Sequence, residues 1–484
     1  MRNKVQLITY PDSLGGSLSS LNELLTGPLE GIFKGGVHIL PPFPSTGDRG
    51  FAPVTYRQIE SKFGSWEDVK SIGEHHDVMV DIMVNHISRH SSYFQDFLRY
   101  GRESQYADMF ITLDKIWPDG DPPPEDVAKI FLRKPEHPFL DVEIEATGLT
   151  ERIWASFGPR ADYSEQIDLD VDSPFTRQFL VDLFQFLCEQ NICIVRLDAI
   201  GYVIKKPGTS CFMVEPEVYE FMDWIEAAAG EIGIEFLPEV HAHYMTQFKL
   251  AGHGYRVYDF VLPMLILHTL ETGDGDKLVK HLKRCPRKQI TMLDCHDGIP
   301  VQPDLDDILT VEESKFIVEQ CLKRGANINR IISEEKGREG FDAHQINITY
   351  YDALGQSDDA YLAARAIQFF SPGAPQVYYV GLLAGKNDYL GVDITGEGRA
   401  VNRQNFTSDE VIQALEKDVV QRLLPLIRFR NQHPAFDGEM TAVESDGSML
   451  RIRWEKGAEF AELRLDLGSY HFELHCSELD QEAR

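Results

Sequence analysis

The chain has 484 residues, 43% hydrophobic and 26% charged, the composition of a soluble globular protein with enough length for a large core. Its 47 basic and 77 acidic side chains leave a formal charge of −30, which repels nucleic acid and anionic membranes and obliges any phosphorylated ligand to find a locally basic pocket. Seven cysteines without CxxC spacing, no run of 18 apolar residues and no leader-like N-terminus lead to the expectation of free thiols in a cytoplasmic protein, with no nucleic-acid and no membrane partner.

Eight short runs rich in Val, Ile and Leu are predicted as strands: 5–10, 36–40, 78–84, 192–200, 234–240, 257–262, 290–294 and 376–380. Several are nearly continuously apolar, as strands covered on both faces are. Between the fourth and fifth, Val218, Phe221, Met222, Ile225, Ala229 and Ile232 recur at helical spacing, with Pro216 at the start and Gly233 at the stop. Strands alternating with helices over this length predict an α/β fold, a (β/α)8 TIM barrel. Two intervals are too long for plain loops. Residues 87–168 are expected to form an inserted B subdomain and 298–355 a second, mostly helical, insertion. The barrel then comprises 1–86, 169–297 and 356–436. Alternating patterns in Met449-Leu-Arg-Ile-Arg-Trp454 and Phe460-Ala-Glu-Leu-Arg-Leu465 predict a small antiparallel C-terminal β domain over 437–484.

Charge inside these runs carries the functional signal. Arg196 and Asp198 alternate in the apolar run Ile192-Cys-Ile-Val-Arg-Leu-Asp-Ala-Ile200, so both side chains leave one face of the strand. Burying that pair is costly without a partner or a task. The runs Ile234-Glu-Phe-Leu-Pro-Glu-Val240 and Ile290-Thr-Met-Leu-Asp-Cys-His-Asp297 end in Glu239 and in His296-Asp297. In a barrel of this type the C-terminal strand ends carry the chemistry.

The ordered segments Asp81-Ile-Met-Val-Asn-His86, Arg196-Leu-Asp-Ala-Ile200, Leu237-Pro-Glu-Val240 and Cys295-His-Asp297 resemble the four signature segments of the α-amylase superfamily, glycoside hydrolase family 13. Val5-Gln-Leu-Ile-Thr-Tyr10, Gly36-Val-His-Ile-Leu-Pro41, Gly208-Thr-Ser-Cys-Phe212, Gln345-Ile-Asn and Gln376-Val-Tyr-Tyr-Val-Gly381 extend the likeness to sucrose phosphorylases over nearly the whole length. The resemblance implies retaining transfer of a glucosyl group to inorganic phosphate, a substrate rather than a cofactor; no cofactor and no metal are expected. Retention needs a nucleophile and an acid/base. Asp198 is the candidate nucleophile, kept ionised by Arg196. Glu239 is the candidate acid/base, its apolar approach expected to raise its pKa. Asp297 resembles the third carboxylate, which binds sugar hydroxyls and stabilises the oxocarbenium-like state. His86 and His296 are expected to donate to glucosyl hydroxyls, Asp48 and Arg399 to close the bottom of the glucose pocket, and Phe51 and Phe157 to wall it. Gln345 would contact glucose or acceptor. Asn85 matches a calcium ligand of many amylases, but phosphorylase relatives do without calcium, and a strand-end hydrogen-bonding role is favoured.

The departing sugar is read by the loops Ile130-Phe-Leu-Arg-Lys-Pro-Glu-His-Pro138 and Gly340-Phe-Asp-Ala-His-Gln-Ile346. His344 stands where sucrose phosphorylases typically carry tyrosine, and with Phe-Leu-Arg-Lys in the facing loop it resembles the subgroup that takes a 6′-phosphorylated donor. Arg133 or Lys134, with His344, would hold that sugar phosphate, and Asp342 is a further substrate-binding candidate. Basic residues are also needed for inorganic phosphate, so plain sucrose, glucosylglycerol or glucosylglycerate remain alternative donors. Hydrolysis, and a non-catalytic sugar-binding protein, are further alternatives. Gln404-Asn405 follows Asn402-Arg403 where many relatives carry histidine. A monomer or homodimer is expected.

Overall fold

The computed structural model describes residues 1–132, 137–157, 165–302, 305, 307–330 and 341–477, without the side chain of Asp48. All eight expected strands are present: β1 (Gln6–Thr9), β2 (Val37–Ile39), β3 (Val78–Met83), β4 (Ile192–Asp198), β5 (Glu235–Pro238), β6 (Val257–Asp259), β7 (Gln289–Thr291) and β8 (Ala374–Tyr378). They are shorter than the apolar runs because the last residues of each run leave the ladder and enter the loops that follow.

The chain divides into two compact units. One holds residues 1–38, 241–331 and 336–484, and in it β6, β7, β8 and β1 pair in parallel in that order. The other holds residues 39–240, and in it β3, β4 and β5 pair in parallel. The chain passes from the first unit to the second within β2. Consecutive strands are parallel neighbours in each unit, as a barrel of βα repeats requires. Their residues are buried on both faces, which explains the near-continuous apolar runs.

The helix Glu217–Gly230 follows the expected spacing and buries Val218, Phe221, Met222, Ile225 and Ala229. Gly233 stops it with φ near 93°, a left-handed conformation without penalty only for glycine.

In the second unit, the excursion after β3 builds a core of its own around Phe94, Phe97, Phe110, Ile153 and Ile167. The hairpin Phe139–Ile144 with Leu149–Trp154 and the pair His86–Ser88 with Gln166–Asp168 frame it. In the first unit, the described residues of the excursion after β7 combine helix with sheet: the helices Val311–Lys323 and Tyr350–Ala353, and a three-stranded antiparallel sheet in which Ala343–Asn347 lies between Ile299–Pro300 and Asn327–Arg330. The strand segments are two to five residues long, too short for periodicity to reveal. Four antiparallel strands, Glu439–Asp446, Met449–Lys456, Glu459–Asp466 and Phe472–Cys476, form the expected C-terminal sheet.

Candidate active site

In the second unit, parallel register sets Asp81 beside Arg196, Met83 beside Asp198 and Arg196 beside Leu237. Registered residues of neighbouring strands share a face, so the Asp81, Arg196 and Asp198 side chains converge. Arg196 Nη1 donates to Asp81 Oδ1 at 2.5 Å and to Asp198 Oδ1 at 2.9 Å, while Nη2 lies 3.4 Å from Glu239 Oε1. Arg196 is 4% exposed and Asp81 fully buried. One guanidinium thus faces three carboxyl groups in a site with little water. Three anions against one cation leave two uncompensated charges, a costly state that a proton on one carboxyl relieves.

The titration of Asp198 reflects this crowding. Burial raises its pKa above the carboxylate range, and the nearby charges of Glu239 and Asp81 add to the rise, while Arg196 opposes it. Arg196 favours the ionised Asp198 as expected, but burial, Glu239 and Asp81 work against it. Asp198 is favoured as the anion when Glu239 carries the proton.

Glu239 is placed by the backbone. Its N–H donates to Leu197 O at 3.0 Å, and Glu239 Oε2 accepts from Ala199 N at 3.3 Å. That N–H reaches it because Ala199 turns left-handed, with φ near 56°, directly after Asp198. A left-handed alanine is a strained choice of the kind found where geometry serves a site.

The other predicted residues of the second unit contact one another. Phe51 is buried, and its carbonyl is within 3.0 Å of His86 Nε2 and accepts from Gln166 Nε2 at 2.8 Å. Phe157 packs 5.2 Å from the His86 ring and edge-on to Tyr202 at 4.9 Å. Asn85 Oδ1 accepts from Lys205 Nζ at 2.8 Å. The same ammonium pairs with buried Asp168 at 2.7 Å and donates to Tyr202 O. Arg133 and Lys134 lie outside the described residues, as does the side chain of Asp48.

In the first unit, Asp297 follows β7. Arg399 Nη1 pairs with its Oδ1 at 2.9 Å, and the Nε2 atoms of His241 and His296 lie 3.7 and 3.9 Å from Oδ2. Burial alone would raise the Asp297 pKa. Arg399 and the two histidines outweigh it and hold the carboxyl well below its ordinary value. Arg399 Nη2 also donates to Gln345 Oε1 at 3.1 Å. Gln345 is fully buried, and its Nε2 has no hydrogen-bond partner among the described residues. An orphan buried donor is costly unless a ligand meets it. His344 Nδ1 lies 2.5 Å from Gln302 O, and its ring is 6.4 Å from that of His241. Asp342 is held by Arg330 at 2.5 Å.

Three participants escaped the sequence reading. Asp81 left a signal, an acid inside Val78-Met-Val-Asp-Ile-Met83. His241 left a weaker one, two residues beyond Glu239, and stacks on Phe260 at 4.1 Å. Lys205 left none.

Comparison with known proteins accords with these arrangements. Residues 29–258 match the family model of the α-amylase catalytic domain. The chain is 55% identical to a sucrose 6(F)-phosphate phosphorylase of Thermoanaerobacterium thermosaccharolyticum, over 97% of this chain and 96% of that protein. It is 47% identical to a sucrose phosphorylase of Streptococcus mutans, over 90% and 89% of the two chains. The crystal structure of sucrose 6F-phosphate phosphorylase from Thermoanaerobacter thermosaccharolyticum superposes with a TM-score of 0.96 at 53% identity, covering 100% of this chain and 98% of that one. The fold is accordingly the (β/α)8 barrel with an antiparallel C-terminal sheet, and the chain belongs to the α-amylase family, in its branch of phosphorylases, as a glycosyltransferase.

Proposed function

We propose that the protein cleaves sucrose 6′-phosphate with inorganic phosphate, yielding α-D-glucose 1-phosphate and fructose 6-phosphate with retention. The observation that carries the chemistry is the single Arg196 guanidinium shared by Asp81, Asp198 and Glu239. A cluster that favours one proton among these carboxyls suits a neutral acid beside an ionised nucleophile. Glu239 gives its proton to the glycosidic oxygen and fructose 6-phosphate departs. Asp198 bonds to the anomeric carbon, forming a β-glucosyl ester. Phosphate then attacks that carbon, giving its proton to Glu239 and releasing Asp198. Asp297, held ionised by Arg399, bears on the glucosyl hydroxyls and the developing positive charge. His296 and His86 serve the same sugar, with Phe51 and Phe157 as walls, Asp48 and Arg399 as its floor, and Gln345 Nε2 as a donor.

The donor's phosphate is assigned to Arg133 or Lys134 with His344. If His344 Nδ1–H is given to the Gln302 carbonyl, Nε2 offers a proton only as imidazolium, a state that a dianionic sugar phosphate favours. The resemblance to the named sucrose 6(F)-phosphate phosphorylase supports the phosphorylated donor. The resemblance to the Streptococcus mutans sucrose phosphorylase supports plain sucrose as the second reading. The reaction is assigned no cofactor. The seven free thiols suit a reducing, cytoplasmic setting, and among the described residues no helix is long and apolar enough to cross a membrane. The working unit is a monomer or homodimer.

A donor comparison decides between the two readings. Glucose 1-phosphate release, followed with each donor in phosphate buffer, is expected to have the higher kcat/KM with sucrose 6′-phosphate. His344→Tyr is expected to reduce that value about tenfold or more, a loss of one charge-assisted hydrogen bond, and to leave the value for sucrose nearly unchanged. Faster turnover of plain sucrose by the unaltered protein sinks the phosphorylated-donor reading. Sugar release that ignores phosphate concentration sinks phosphorolysis itself.

A further inference from the structure

The carboxylate of Asp297 stands on backbone that no strand holds. β7 ends at Thr291, six residues earlier, and the residues from Met292 to Asp297 belong to no helix or strand. Loop carbonyls in a buried place need donors from elsewhere. Here two adjacent side chains supply them. Asn402, 3% exposed, donates through Nδ2 to Cys295 O at 3.2 Å and to Asp297 O at 3.0 Å. Arg403 Nε donates to His296 O at 2.8 Å. Three consecutive carbonyls are thus each met by a side-chain donor from one dipeptide. Arg399, three residues before Asn402, takes the Asp297 carboxylate itself.

This dipeptide is anchored on both sides within the same unit. Upstream, Asn327 Nδ2 donates to Gly398 O at 2.9 Å, and a Cβ added at Gly398 would lie 2.7 Å from Asn327 Oδ1, so the approach needs glycine. Downstream, Asn405 Oδ1 accepts from Ser13 Oγ at 2.8 Å, and Asn405 Nδ2 donates to Asp12 Oδ2 at 3.3 Å. Phe406 N donates to Ser13 O at 2.9 Å. Asn405 therefore tethers the segment to the loop after β1. The Arg403 guanidinium lies 5.8 Å from the Tyr10 ring, and that ring meets His296 edge-on at 6.2 Å.

We propose that Asn402 and Arg403 are positioning residues for the Asp297 carboxylate, clamping the Cys295–Asp297 backbone from a segment braced between the Asn327 strand and the loop after β1. The inference rests on the reading of Asp297 as a group that stabilises the glucosyl transition state. Misplacing such a group by about 1 Å costs about 10²-fold in rate.

The test is a double-mutant cycle on glucosyl transfer from α-glucosyl fluoride to phosphate, an activated donor that keeps slow variants measurable and is indifferent to the departing sugar. Asn402→Ala is expected to lower kcat about 10²-fold with little change in KM. In an Asp297→Asn background it is expected to cost no more than about twofold, because residues that act as a unit are not additive. Arg403→Lys, which keeps a donor for His296 O, is expected to retain more activity than Arg403→Ala; should Asn402→Ala fail to fold, Arg403→Lys and Arg403→Ala enter the same cycle. Wild-type kcat in Asn402→Ala beside a crippled Asp297→Asn overturns the clamp and leaves the reading of Asp297 intact. Full additivity in the cycle also overturns the clamp, since a merely structural role adds independently. Wild-type kcat in Asp297→Asn itself overturns the reading of Asp297 and the clamp with it.

Discussion

Asp198→Asn is expected to abolish glucose 1-phosphate release, with kcat down by about 10⁴–10⁶, the range seen when a covalent nucleophile is removed. The amide can still accept from Arg196, so the surrounding geometry is preserved while the nucleophilic carboxylate is lost. The same variant is expected to be more stable than the unaltered protein near neutral pH. Folding raises the Asp198 carboxyl above its ordinary value, chiefly through burial and then through Glu239. A group with a raised folded-state pKa contributes fully below its unfolded value, about pH 4, and that contribution is lost as pH rises towards the folded-state value. The ionised Asp198 carboxylate is therefore a strained element, and the neutral amide removes the strain. Urea unfolding at pH 4 and pH 7 should show the advantage of the variant growing with pH. A variant that turns over at more than a few per cent of the normal rate sinks the nucleophile assignment. An advantage that shrinks with pH contradicts the burial account.

Lys205→Met is expected to destabilise the fold by about 3–5 kcal/mol, the loss typical of removing one partner from a buried ion pair. Lys205 and Asp168 are 1% and 0% exposed, and the ammonium also serves Asn85 Oδ1 and Tyr202 O. Methionine nearly matches the lysine stem in volume, so the change isolates the charge. Asp168 keeps hydrogen bonds from Ser156 N and Oγ at 2.8 and 2.6 Å, but these do not neutralise it. Adding Asp168→Asn to Lys205→Met is expected to recover a large part of the loss in urea denaturation. The effect should reach catalysis, because Asn85 precedes His86 and Tyr202 packs on Phe157. A Lys205→Met protein within about 1 kcal/mol of the original would mean that the pair is not worth its usual amount.

The asymmetry between what was legible and what was not follows from range. Arg196 and Asp198 stood out because a strand alternates every two residues, so a charged pair at that spacing in an apolar run must face one way. Helix Glu217–Gly230 was equally legible through its 3.6-residue period. The sequence does not reveal Asp81 as a partner of Arg196, although it opens the segment Asp81-Ile-Met-Val-Asn-His86. Their pairing depends on the register between β3 and β4, and 115 residues separate the two. His241, Asn402 and Arg403 share that history, because each meets Asp297 or its neighbour His296 across a distance along the chain that no local pattern records. The sheet after β7 was missed for a different reason. Strands of two to five residues carry too few alternations to be distinguished from loop or helix.

By itself, the amino-acid sequence determined the barrel and the family and singled out Asp198, Glu239 and Asp297 as candidate catalytic carboxylates, because strand periodicity and ordered motifs are properties of short contiguous stretches. Only the tertiary structure decided what those carboxylates experience. It showed one guanidinium shared among three acids, a lysine ammonium hydrogen-bonded to Asn85, and the unladdered His296–Asp297 backbone met by side-chain donors of Arg403 and Asn402. Protonation and positioning depend on burial and on charges brought close by folding, which are set by neighbours in space rather than along the chain.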